Sequence, residues 1–241
     1  CLGTPGPDDA AEVRRAASIL RDELASAGSG DHCGDSTEVA AHTASDGDSW
    51  PCVPPHLTES VSTTWEQWEL GTARREYARL FCGRVPVPPN ETSYGDGRRP
   101  AGKPRELADI SGFYRAFGFA PALRSSELFD HIAVELEFLS LMLLKRAFAL
   151  ELDDKDAVAV SFDGIKRFLE DHLGRWVPAF VAQCLAHDPS PSLASAVRLL
   201  ERVVAEECRM HGASPVLQSG SVAQEADDAT FSCPHESTAL H

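Results

Sequence analysis

Glu127-Leu128-Phe129-Asp130-His131-Ile132-Ala133-Val134-Glu135-Leu136-Glu137-Phe138-Leu139-Ser140-Leu141-Met142-Leu143-Leu144 divides into an acidic front half with one histidine and an apolar back half. A helix that is apolar all round has to be enclosed by other elements. The stretch therefore predicts the central helix of a helical domain. Glu127 and Asp130 fall in its first turn, where carboxylates suit the positive end of the helix dipole. His131 and Glu135 lie one turn apart, on one face. A histidine bonded to a neighbouring carboxylate is also an ordinary way to satisfy a core group. Asp130-His131 thus has a structural reading beside a functional one.

Outward from this stretch the chain keeps the helical period. Asp8 to Ala27 is an amphipathic helix by its Val13, Ala16, Ala17, Leu20 and Leu24. Residues 29–57 are rich in Gly, Ser, Asp and Pro and read as a linker or insertion. Thr58 to Phe81 is helical with an aromatic face. Pro86 to Tyr94 is extended, because its prolines exclude a helix. Gly95 to Lys103 is a basic loop, and Arg105 to Phe117 is helical. Asp153 or Asp154 caps a helix that Gly174 ends, and Pro178 sits in the first turn of the next. Ser190 or Ser192 caps a last helix closed by Gly212. Residues 213–241 are polar and read as a disordered tail. The alternation that strands require is missing, so the fold class is all-α: an N-terminal helix over 1–28, the insertion, a bundle domain over 58–212 and the tail.

Composition narrows the function. A net charge of −15 over 241 residues repels phosphates, which disfavours nucleic acid as a partner; it suits either a cationic partner or a salt-rich cytoplasm. The chain starts at Cys1 rather than a methionine, as a fragment or processed form would. The cysteines, Cys1, Cys33, Cys52, Cys82, Cys184, Cys208 and Cys233, are scattered and odd in number, which points to a reducing compartment. Glu135 and Glu137 interrupt the best apolar run, so no membrane span is expected. Arg14-Arg15 is followed by Arg21, Asp22 and Glu23, which break the apolar stretch of a signal peptide. Cys33, Cys52 and His56 depart from zinc-finger spacings. Glu-x-x-His, His-Glu-x-x-His and Gly-x-Ser-x-Gly motifs do not occur, so no catalytic residue is assigned.

Five signatures occur in order. They are Tyr77-Ala78-Arg79-Leu80-Phe81, Pro88-Pro89-Asn90-Glu91-Thr92-Ser93-Tyr94, Phe113-Tyr114-Arg115-Ala116-Phe117-Gly118, Glu127 to His131 with Glu135 to Leu139, and Phe168-Leu169-Glu170-Asp171-His172-Leu173. Together they resemble the TorD/DmsD/NarJ family of redox-enzyme maturation chaperones, over about residues 65–212. Leu128 stands where that family usually has Pro, and Thr92 where it usually has Ser.

The resemblance implies an all-helical bundle, a cytoplasmic location, no catalysis and no cofactor. It implies binding to the twin-arginine signal peptide and body of a molybdopterin oxidoreductase subunit, held until the cofactor is inserted. Long linkers also permit a domain-swapped homodimer. The peptide-binding residues so implied are Tyr77, Leu80, Phe81, Pro89, Glu91, Tyr94, Phe113, Asp130, His131, Glu135 and His172. The aromatics would line an apolar groove, Glu91, Asp130 and Glu135 would face the arginines, and Asp130 and His131 would sit at the groove's mouth. The alternative is a helical metal-dependent enzyme using Asp130, His131, Glu135 and His172.

Overall fold

In a computed structural model the chain is described over residues 55–66, 69–82, 86–95, 102–120 and 129–218. The expected helix over 8–27, the cysteines and histidines before residue 55, Glu127-Leu128 and the tail beyond Gln218 lie outside these residues. The described elements are α1 (Pro55–Glu66), α2 (Leu70–Phe81), a 3₁₀ turn (Glu91–Ser93), α3 (Lys103–Ala116), α4 (Ile132–Glu151), α5 (Lys155–Phe168), a π turn (Leu169–Leu173), α6 (Gly174–Ala186) and α7 (Pro191–His211). Among them there is no strand, and the architecture is all-α. No described helix is long and apolar enough to cross a membrane.

The expected segment 58–81 is two helices, and Glu69 flanks the start of the second. The α4 stretch starts later than its charge pattern predicts. His131 is its N-cap in extended conformation, and Asp130 precedes the helix. Backbone pairing is the reason. Asn90 and His131 form an antiparallel bridge. The amide of Glu91 donates to Asp130 O (2.8 Å) and the amide of Ile132 to Pro89 O (2.9 Å). His131 then serves the new helix end with its ring, whose Nδ1 accepts from the Ala133 amide at 3.1 Å.

The helix is central, but it is not apolar-enclosed on all sides. Val134, Phe138, Leu139, Met142 and Ala149 are buried. Phe138 packs on Tyr114 and Phe168, with centroids 4.8 and 4.7 Å away. Leu144 and Phe148, by contrast, stand in solvent.

Asp154 caps α5 by accepting from the Ala157 amide, and Ser190 caps α7 by accepting from Leu193. Gly212, at φ 60°, closes α7 in the left-handed region that glycine tolerates. Gly174 does not stop a helix. It keeps right-handed geometry and carries the chain from the π turn into α6. A Cβ at Gly174 would lie 2.5 Å from the Leu169 carbonyl oxygen and 3.1 Å from Cys208 Sγ. Glycine here permits a close approach rather than a reversal. Pro178 accordingly lies inside the helix, not in a first turn. Ala213 to Gln218 continues the ordered body past Gly212. Its Ser214 amide donates to Glu170, and its Gln218 amide to Arg175 O.

Candidate functional site

The paired segments Pro88–Tyr94 and Phe129–His131 are the place where four of the five signatures meet. Prolines 88 and 89 hold the first segment extended. Two tyrosines then pin the segments from below. Tyr94 donates its hydroxyl proton to Pro88 O (2.9 Å), and Tyr114 of α3 donates to Phe129 O (2.8 Å). Burial pushes both phenols far above their ordinary range, with the Cys184 thiol beside Tyr94 and the Glu135 carboxyl beside Tyr114 adding to the effect. They therefore stay neutral donors.

The side chains between the segments form a closed polar knot. Asp130 is fully buried. Its carboxylate accepts from the Thr92 hydroxyl (2.6 Å), the Thr92 amide (3.2 Å) and the Asn90 amide group (3.1 Å). Glu91 and His172 are buried and meet at 3.1 Å between Oε2 and Nδ1. A carboxylate only accepts, so this Nδ1 carries the proton. The π turn brings His172 inward, where Phe113 packs edge-on against its ring at 5.4 Å. Glu135, one turn into α4, accepts from the Trp176 indole at 3.1 Å. Burial, reinforced by repulsion from Glu91 and Asp130, holds its carboxyl well above the usual range; the indole bond opposes this. Its second oxygen, Oε1, has no hydrogen-bond partner among the described residues. A neutral carboxylic acid tolerates that position better than a carboxylate does.

Each expected site residue can now be placed. Leu80, Glu91, Tyr94, Asp130, His131, Glu135 and His172 are buried. Tyr77, Phe81, Pro89 and Phe113 are half-buried. The expectation of an exposed acidic rim is corrected: Glu91, Asp130 and Glu135 point inward, because each finds its donor inside the protein. Asp130 and His131 are likewise not at a groove mouth. The metal-enzyme alternative is not favoured. Its four side chains are engaged apart from one another, Asp130 with Thr92 and Asn90, His131 with the Ala133 amide, Glu135 with Trp176 and His172 with Glu91. No group of three or more His, Cys, Asp or Glu among the described residues has the geometry to hold a metal ion.

Four contributors are not among the expected site residues, one of them Thr92, whose hydroxyl and amide both bond Asp130. Tyr114 was overshadowed by its neighbour Phe113, and Asn90 by Glu91. Trp176 lies in an apolar run where only its indole N–H, a donor needing a partner, marks it. Phe129, 45% exposed, is the large apolar residue that this construction holds in solvent.

The perchlorate reductase assembly chaperone protein of Dechloromonas aromatica is 30% identical over 128 residues, 53% of this chain and 56% of its own. A chaperone protein TorD of Photobacterium profundum is 27% identical over 135 residues, 53% of this chain and 60% of its own. One from Vibrio cholerae is 25% identical over 150 residues, 60% and 64% respectively. The chain thus spans less than two thirds of the length of these curated relatives. Residues 53–182, which contain α1 to α5, the π turn and the entire polar knot, match the family described as nitrate reductase delta subunit. The chain belongs to this nitrate reductase delta subunit family, which includes the TorD and NarJ proteins.

Proposed function

We propose that the chain is a non-catalytic assembly chaperone. It works in the cytoplasm, binds the twin-arginine signal peptide and body of a molybdopterin oxidoreductase subunit, and holds them while the cofactor is inserted. The observation carrying this reading is the convergence of four of the five ordered signatures on one knot, in a chain whose relatives are named as chaperones. In this reading the knot shapes the binding surface without touching the peptide. Asp130, Glu91, His172 and Glu135 fix the two extended segments. Pro89, Phe129 and the half-buried Tyr77, Phe81 and Phe113 meet the apolar part of the peptide. Extended segments held on a rigid scaffold suit recognition of an unfolded chain, since their ordering is complete before binding.

Titration calorimetry with a synthetic twin-arginine signal peptide tests the reading. Saturable one-to-one binding is expected. Replacing both arginines by glutamine should weaken it, and the difference should shrink at high salt, because the chain's net charge of −15 rather than a paired carboxylate attracts them. Equal affinity for the two peptides would count against signal recognition.

A further inference from the structure

A second surface lies away from the knot, along the α4–α5 hairpin. An open groove of about 770 Å³ runs between the C-terminal half of α4, the first turns of α5 and the end of α3. Leu144, Phe148 and Leu152 line it at intervals of four residues, and Val160 faces them from α5. Their exposures are 64%, 62%, 64% and 61%. Large apolar side chains gathered in solvent mark an interaction surface more often than scattered ones do. Leu152 and Asp154 close one end of the groove, in the turn Glu151-Leu152-Asp153-Asp154-Lys155-Asp156, which exposes four carboxylates and one ammonium. The other cation at the groove, Lys145, is already engaged with the Phe117 carbonyl.

This charge pattern selects the occupant. A second copy would bring the same acidic turn. The chain's own segment 8–27 carries five carboxylates, Asp8, Asp9, Glu12, Asp22 and Glu23, against Arg14, Arg15 and Arg21. Both would be repelled. We propose that the α4–α5 groove docks an amphipathic helix of a partner polypeptide, its apolar stripe on Leu144, Phe148 and Val160 and its Lys or Arg residues against the acidic turn. The proposal does not depend on signal-peptide recognition at the knot.

The test uses the full chain and two fluorescein-labelled synthetic helices of about five turns. One has Leu and Lys at helical spacing; the other has the same leucines with Glu for Lys. Anisotropy titration should show saturable one-to-one binding of the Leu/Lys helix and at least about tenfold weaker binding of the Leu/Glu helix. Phe148→Ser/Val160→Ser should weaken the Leu/Lys helix by about tenfold without changing net charge. Asp153→Asn/Asp156→Asn should flatten its salt dependence. All three chains should show the same helical circular dichroism and melting, because the altered residues are exposed; Leu152→Ser, at the helix end, reads the apolar contact a second way. Equal binding by parent and Phe148→Ser/Val160→Ser overturns the proposal, as does equal affinity for a scrambled Leu/Lys peptide. So does a monomeric parent that refuses both helices. A parent that dimerises in sedimentation, with the Phe148→Ser/Val160→Ser variant monomeric, would assign the groove to a second copy and overturn it too.

Discussion

Asp130 and Phe129 are neighbours in the chain with opposite surroundings, and the two predict opposite phenotypes. Asp130→Asn turns an acceptor toward Thr92 and Asn90 into an amide that must present its own donor to theirs. A loss of about 1–3 kcal/mol is expected in urea unfolding, the scale for an unsatisfied buried group. Peptide affinity should then fall no further than the lost stability explains. Phe129→Ala should leave stability within about 0.5 kcal/mol, as exposed substitutions do, and weaken signal-peptide binding in the same titration. A stable Asp130→Asn with lost affinity would restore direct contact.

Glu135 predicts a pH dependence of definite sign. Its carboxyl is raised above the ordinary 4.5, so the folded chain keeps a proton that the unfolded chain releases. The contribution to stability is full below pH 4.5 and falls as pH rises toward the folded value. Glu135→Gln keeps an acceptor for Trp176 and has no proton to lose. The stability difference, parent minus variant, should therefore decline as pH rises from about 4.5, measured by urea unfolding at a series of pH values. A difference that rises with pH would mean the carboxyl is ionised in place.

At the scale of elements, the π turn joins α5 to α6 through a contact that allows no side chain. Gly174→Ala should lower stability by about 1–3 kcal/mol, since overpacking against a fixed backbone oxygen cannot be relieved by a rotamer, and thermal unfolding will show it. Leu139→Asp, in the buried stripe of α4, should be worse, because it buries an unpaired charge.

Element positions were legible wherever period and cap agreed. Asp154, Ser190 and Gly212 mark helix ends by local chemistry, and the structure uses all three. The misreadings share a cause. The start of α4 is set by a bridge to Asn90, and the continuation through Gly174 by a packed neighbour, Cys208. Neither partner is local. The candidate site was legible as a set of ordered signatures whose side chains meet. Whether Glu91 or Asp130 faces solvent was not, because a carboxylate's direction depends on donors brought from other elements.

For the whole molecule, the acidic charge and the arrangement of apolar surface act together. Two separate features face outward: the segment pair topped by Phe129, and the groove ended by the acidic turn. A net charge of −15 favours approach of any basic partner to either. We propose that the insertion before α1 and the tail after Gln218 are not needed for folding, since they lack the apolar content that offsets chain ordering. Limited proteolysis should leave a fragment close to residues 55–218 that melts as cooperatively as the full chain.

The bridge between Asn90 and His131 also has a consequence in time. Its polar contacts tie together positions 40 residues apart, and closing such a loop costs about 3 kcal/mol in chain entropy before any bond is gained. Helical turns form on local contacts alone, so they have no such delay. The knot should therefore close after the folding barrier, once α3 and α4 have met. Removing an interaction absent from the transition state accelerates unfolding and leaves folding unchanged. In stopped-flow experiments Asp130→Asn should steepen nothing and slow nothing on the refolding limb, while raising the unfolding rate by roughly the factor its equilibrium loss demands. Native-state hydrogen exchange should likewise find the amides of Glu91 and Ile132 opening together, below the free energy of global unfolding. The segments that shape the proposed peptide surface would then be the part of the fold that can let go without dismantling the rest.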